Sequence, residues 1–153
     1  MKLLKLESTQ EVPAPLEEVW PFFATPANLE RMTPDTLRMG IITPGELVMK
    51  EGALFDYVIR MRGVPMRWTT LITACEPPHR FIDVQLRGPY SYWHHTHTFE
   101  RREGGGTILR DEVLYGMPFG PLGLVAHALM VKRDLNQIFQ YRRKVIEDLF
   151  GVV

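Results

Sequence analysis

Apolar and polar positions alternate through most of this chain, and the period becomes helical in only two places. Residues 2–12 set Leu4, Leu6 and Ser8 on one parity and Lys5, Glu7 and Thr9 on the other, the mark of a half-buried strand. Pro13 and Pro15 end it. Leu16, Val19, Trp20 and Phe23 then follow helical spacing, with Glu17 and Glu18 in a first turn where acidic groups meet the positive end of the dipole. Pro15 suits a helix start, whereas Pro21 in the interior predicts a short or bent element. Thr25 is placed to cap a second short helix, with Pro26 at its first position, Leu29 and Met32 inside, and Thr33-Pro34 closing it.

The middle of the chain reads as strands. Residues 37–42 form a weak one. Residues 54–62 alternate Phe55, Tyr57, Ile59 and Met61 against Asp56, Arg60 and Arg62, and Gly63-Val64-Pro65 turns the chain. Residues 66–75 put Met66, Trp68, Thr70 and Ile72 on one face; after the turn at residues 76–79, residues 80–87 form the next strand, ended by Gly88-Pro89. Residues 90–102 are long and aromatic, and the Gly104-Gly105-Gly106 turn returns the chain through residues 107–116. Short connections make such strands antiparallel neighbours. Beyond a stiff entry at Pro118, Gly120, Pro121 and Gly123, residues Leu124, Ala128, Val131, Leu135, Ile138, Phe139, Arg142, Ile146 and Leu149 recur at helical spacing. That helix would reach roughly 40 Å, so it must cross the whole sheet to bury its stripe.

Composition narrows the function. The 153 residues suit one domain, 1–153, with one core. Eighteen basic and 18 acidic residues leave a formal net charge of zero, which argues against electrostatic nucleic-acid binding. The single Cys75 cannot form an intramolecular disulfide and reads as a core thiol in a reducing compartment. Residues 1–10 carry charges unlike a signal peptide, and no apolar run spans a bilayer, so a soluble cytoplasmic location is expected.

Several words along the chain resemble the START and birch-pollen-allergen superfamily, SRPBCC, and within it the bacterial polyketide cyclase/dehydrase-like branch. They are Val12-Pro13-Ala14-Pro15-Leu16-Glu17-Glu18-Val19-Trp20, Pro26-Ala27-Asn28-Leu29, Thr33-Pro34, Trp68, and Glu76-Pro77-Pro78 before Phe81. Gly88-Pro89-Tyr90, the run from Trp93 to Phe99, Gly105-Gly106-Thr107 and Asp111-Glu112-Val113-Leu114-Tyr115 complete the order. The resemblance implies an α+β helix-grip fold: a curved antiparallel sheet of about seven strands wrapped around the long C-terminal helix, with two short helices after the first strand. A bent sheet gripping one helix leaves a gap, and such a gap lined by apolar groups binds small organic ligands.

The candidate chemistry centres on residues 93–99. On a strand, Trp93, His95, His97 and Phe99 share a face, which places two imidazoles inside, roughly 7 Å apart along the strand. They would contact a ligand or transfer protons near neutral pH; the plainer reading is a pair of hydrogen-bonded core histidines. Asp111, if inward, would pair with one of them, raise its pKa and fix its tautomer. A metal held by His95, His97 and Asp111 or Asp83 is the sharper alternative; no metal motif supports it, and neither metal nor cofactor is expected. For residues 80–87 hydrophobicity buries Ile82, Val84 and Leu86, whereas the resemblance turns Phe81, Asp83 and Gln85 inward. If both faces are covered, the outer one would serve a homodimer. Arg142 interrupts the stripe of the last helix, either snorkelling at the edge or pointing into the pocket. Arg60, Arg62 and Arg67 line an outer surface as solvated residues or a weak anion site.

The expected ligand-binding residues are therefore Phe55, Tyr57, Trp68, Asp83, Gln85, Trp93, His95, His97, Phe99 and Tyr115, with His95, His97 and Asp111 as catalytic candidates. The leading expectation is a binder of a small hydrophobic molecule. The alternatives are a cofactor-independent cyclase or dehydratase using a pocket histidine, and a protein-interaction or chaperone-activator-like domain, which would have little cavity and a sizeable apolar outer patch.

Overall fold

The computed structural model describes residues 2–153; Met1, the first residue of the expected domain and of its charged amino-terminal segment, lies outside the described residues. Seven strands follow in order: Leu4–Val12 (β1), Gly40–Ile41 (β2), Leu54–Met61 (β3), Val64–Glu76 (β4), Arg80–Arg87 (β5), Tyr92–Arg101 (β6) and Thr107–Gly116 (β7). They make one antiparallel sheet in the order β1-β7-β6-β5-β4-β3-β2. The segment after β1 must therefore cross from one sheet edge to the other. It does so through Leu16–Phe23 (α1), a 3-10 turn at Pro26–Asn28 and the single turn Leu29–Met32 (α2). Register shifts between Thr69 and Thr70 and between Ile72 and Ala74 interrupt the β4–β5 ladder, and such bulges bend a sheet.

Four local expectations change. The weak strand at 37–42 shrinks to two residues, because Asp35–Leu37 coils into a 3-10 turn and Arg38 becomes left-handed at φ 44. The β3–β4 turn is Arg62-Gly63, both left-handed at φ 52 and 83, so Val64 and Pro65 are already paired with Met61 and Arg60. A two-residue turn of that hand matches strand twist. The β6 strand starts at Tyr92 rather than 90. Thr25 caps nothing: its hydroxyl donates back to the Pro21 carbonyl at 2.7 Å.

The last helix (α3, residues 120–150) comprises Gly120–Ala126, a π turn at His127–Val131 and Lys132–Phe150. It begins earlier than its stripe because Pro121 suits a first turn. The π turn adds a residue and rotates the face, so Ala128 is exposed and falls outside the stripe; Leu149, near the helix end, is also exposed. Leu135 and Ile146 are its most buried side chains. The Gln10 amide donates to the Arg143 carbonyl at 3.0 Å and the Arg143 guanidinium to the Thr9 carbonyl at 2.9 Å, pinning α3 to β1.

Two apolar clusters fill the space beneath α3. One gathers Leu16, Val19, Trp20, Phe23, Phe81, Phe99, Leu109 and Ile146; the other gathers Ile59, Trp68, Tyr90, Trp93, Val113, Tyr115 and Leu135. The two-way reading of β5 is resolved in favour of Phe81 and Asp83 inside, with Ile82 and Val84 half-buried on the convex side and Leu86 exposed.

Candidate ligand-binding site

A cavity of about 200 Å³ lies between sheet and helix. Alternation along the strands aims Phe55, Tyr57 and Ile59 of β3 and Trp68, Thr70 and Ile72 of β4 into it. Phe81 and Asp83 of β5 and Trp93, His95 and His97 of β6 extend the wall, and Leu135, Ile138, Phe139 and Arg142 of α3 cover it. Leu29, Met32, Met39 and Met49 close the side; unbranched methionines suit an irregular wall. Leu29 and Met32 lie on the inner face expected of their short helix, whereas Met39 and Met49 escape sequence reasoning, because their segment has almost no regular period.

One end of the cavity is polar. The sheet register sets Asp83 opposite His95 and Asp111 opposite His97. The short contacts nevertheless run diagonally: His95 Nε2 is 2.7 Å from Asp111 Oδ1, and His97 Nε2 is 2.6 Å from Asp83 Oδ2. The directly opposite contacts are longer, 3.8 Å from His95 Nδ1 to Asp83 and 3.4 Å from His97 Nδ1 to Asp111. The two rings lean together until their centroids are 3.6 Å apart, and His97 also stacks on Phe81 at 3.9 Å. Two-residue spacing alone implied about 7 Å. Arg142 reaches in from α3, its Nη2 3.2 Å from Asp111 and its guanidinium 5.4 Å from the Phe23 ring centre. It points into the site and does not snorkel.

The charges explain how such a cluster survives burial. Two carboxylates and one guanidinium leave one negative charge, which a single proton on the imidazole pair cancels. Burial opposes every charge here. For His97 the two aspartates outweigh burial and raise its pKa. For His95 burial and the neighbouring His97 charge prevail and lower it. Burial also works against ionised Asp111, but Arg142 and the two histidines hold its carboxyl well below the usual range. Asp83 is lowered against burial chiefly by the His97 hydrogen bond. Across the cavity, burial pushes the Tyr57 phenol up, and its hydroxyl lies 3.3 Å from that of Thr70.

The donor atoms of Asp83, His95 and His97 lie within 4.8 Å of one another, a set that could hold zinc or iron. A divalent ion would have to displace the proton and sit near the Arg142 guanidinium. The donor chemistry fits a proton better than an ion.

Among the described residues, three buried side-chain polar atoms have no hydrogen-bond partner in the protein: Trp68 Nε1, His97 Nδ1 and Arg142 Nε. All three belong to side chains that line the cavity. Of the other expected contacts, Phe55, Tyr57, Asp83, Trp93 and His95 also line it, whereas Gln85, Phe99, Tyr115 and Asp111 do not. The Gln85 amide is engaged by the Tyr90 backbone at 2.7 and 3.1 Å, holding the β5–β6 loop. Phe99 packs among Trp20, Phe23 and Phe81, and the Tyr115 hydroxyl meets His127 Nε2 at 2.7 Å. Asp111 sits behind the histidines. Arg62 and Arg67 are paired with Asp134 and Asp56, and Arg60 bonds the Gly63 carbonyl, so these arginines form no joint anion site.

A curved seven-stranded sheet closed by one long helix over an apolar cavity defines the helix-grip architecture of the START and birch-pollen-allergen superfamily. Residues 4–147 match the family model described as polyketide cyclase / dehydrase and lipid transport, and the chain belongs to that family. No curated protein sequence matches it. Among solved structures it is similar to protein CV1439 from Chromobacterium violaceum, at 16% identity and a TM-score of 0.73, covering 98% of this chain and 99% of that one. A START superfamily protein from Mycobacterium smegmatis aligns at 11% identity and a TM-score of 0.69, over 95% and 98% of the two chains. Ara h 8.0201 aligns at 17% identity and a TM-score of 0.66, over 97% of each. At such identities these likenesses concern the fold alone. Among the described residues, no helix is long and apolar enough to cross a membrane.

Proposed function

We propose that this protein binds a small hydrophobic molecule of one or two rings that carries oxygen acceptors, in the cavity between sheet and helix. The observation that carries this reading is the coincidence of unpaired and lining groups. Buried donors normally find partners, and Trp68 and Arg142, whose Nε1 and Nε are left without one, are both cavity-lining residues. An apolar cavity of about 150 Å³ accepts benzene, so about 200 Å³ suits a somewhat larger ring system. The cavity weighs against a purely protein-interacting role. The test uses 2-naphthol and tryptophan fluorescence, since Trp68 and Trp93 line the site. Saturable quenching, lost in a cavity-filling Ile138→Trp variant, is expected. Quenching that never saturates would sink the proposal, as would extraction of freshly purified protein and saturation trials with several ring compounds that all yield no bound species.

The stacked histidines favour a second reading, in which the bound molecule undergoes proton transfer. A base and an acid of displaced pKa touch each other and the cavity, and removing a proton beside a carbonyl requires no cofactor. Deuterium exchange at the α-carbon of 2-tetralone in D2O, followed by NMR, should be accelerated by the protein. His95→Gln and His97→Gln should abolish the acceleration while leaving 2-naphthol binding in place. Equal exchange with and without protein rules this chemistry out for benzylic ketones of this size.

A further inference from the structure

The first third of α3 shows a face unlike the rest of the molecule. Phe119, Leu122, Val125 and Leu129 are 82%, 77%, 57% and 74% exposed. At helical spacing the last three share one side, whereas Leu135, further along the helix, packs among Trp68, Trp93 and Tyr115 of the sheet side. Isolated exposed leucines are ordinary; a contiguous set on one helix face is not. The presentation is built in. Phe119 is left-handed at φ 68, an uncommon state for an aromatic residue, and stands immediately before the first turn of the helix. Gly123 allows the loop to close against the helix, since a Cβ there would lie 1.8 Å from the Pro118 carbonyl oxygen. Leu3, 52% exposed, is next to Leu4, whose β1 position pairs with Tyr115 at the β7 end that leads into this loop.

The charges around this face have one sign. No Asp or Glu occurs between Met117 and Arg133, although the whole chain is neutral. Lys132 and Arg133 follow the apolar positions, and neither has an acidic partner among the described residues. Burial lowers the His127 pKa, and the nearby charges of Lys132 and Lys2 lower it further. The next acid, Asp134, is tied to Arg62 at 3.0 Å. A second copy of the chain docked through this face about a two-fold axis would set these cations against their own equivalents. A negatively charged, apolar-cored surface has the complementary character.

We propose that the 119–129 face docks on an anionic lipid bilayer, with Phe119, Leu122, Val125 and Leu129 in the headgroup–acyl boundary and Lys2, Lys132 and Arg133 against lipid phosphates. This inference is independent of what the cavity holds. An amphipathic helix end lying in the interface combines apolar burial with attraction to anionic headgroups. The full chain is tested by co-sedimentation with vesicles of phosphatidylcholine alone or mixed with phosphatidylglycerol. Binding to the mixed vesicles, weakened by salt, is expected. Leu122→Ser and Leu129→Ser should each weaken it roughly tenfold, and Lys132→Gln about fivefold. Tryptophan emission introduced by Phe119→Trp should shift to the blue on mixed vesicles. Three results each overturn the proposal: no sedimentation with mixed vesicles, emission from Phe119→Trp that the vesicles leave unchanged, or a dimer in analytical ultracentrifugation that Leu129→Ser converts to monomer.

Discussion

Asp111 holds the polar end of the site together, because one of its oxygens lies within 2.7 Å of His95 and 3.2 Å of Arg142. Removing its charge leaves a guanidinium buried without its partner. Breaking a buried pair in that way costs about 3–5 kcal/mol, so Asp111→Asn should lower unfolding free energy by about 3 kcal/mol in urea titration. The histidines lend the cluster a pH dependence of defined sign. The raised His97 contributes stability that is fully present below the ordinary histidine pKa of about 6.5 and is lost as pH rises through its folded value. The lowered His95 acts oppositely, destabilising the fold as pH falls below that same ordinary value. Asp83 and Asp111 add stability above the ordinary carboxylate pKa of about 4 that disappears on further acidification. The state with one proton on the pair is thus favoured, and histidine NMR should show two separated macroscopic steps, one on each side of the ordinary value. The stability gap between wild type and His97→Gln should narrow as pH rises; a gap that stays constant would contradict the shared proton.

At the scale of elements, α3 is bound to the sheet through a few side chains. Leu135→Ala and Ile146→Ala should each cost about 2–4 kcal/mol, whereas Leu129→Ala, at an exposed position, should move the urea midpoint little. The strands and both helical regions were legible because periods of two and of about 3.6 residues leave different stripes. Other features leave no such trace. The faces of β5 were ambiguous because Ile82, Val84 and Leu86 compete with Phe81, and the contacts of His97 with Phe81 and Asp83 accompany the inward turn of that parity. The π turn at His127–Val131 is invisible to a periodic reading, and it changes which residues after Ala126 face the sheet. The inward parity of His95 and His97 was readable from Trp93 and Phe99 beside them, whereas the sequence leaves that of Asp111 open. The diagonal pairing and the ring stack were not readable, since they depend on how three strands lean and on Arg142 arriving from a distant helix. Gln85 looked like a ligand contact because sequence carries no sign that a loop backbone would take its amide.

On the scale of the whole molecule, residues of both apolar clusters line the cavity, and the polar layer bridges them, with His97 stacked on Phe81 of one and His95 edge-on to Trp93 of the other. Phe139 lies beside that layer, lining the cavity with its ring 5.9 Å from His95 and 5.7 Å from the Arg142 guanidinium. It therefore limits the size of molecule that can lie beside the histidines. Phe139→Ala should remove about 3 kcal/mol of stability and enlarge the cavity. The variant should gain affinity for a three-ring phenol such as 9-phenanthrol while losing affinity for 2-naphthol, which would leave part of the new volume unfilled. Thermal shifts with both compounds, measured on wild type and variant, read that exchange directly. If the variant loses both ligands equally, Phe139 acts as a contact and not as a limit on length. If it loses neither, the compounds bind away from the histidine end, and the link between cavity and polar cluster fails.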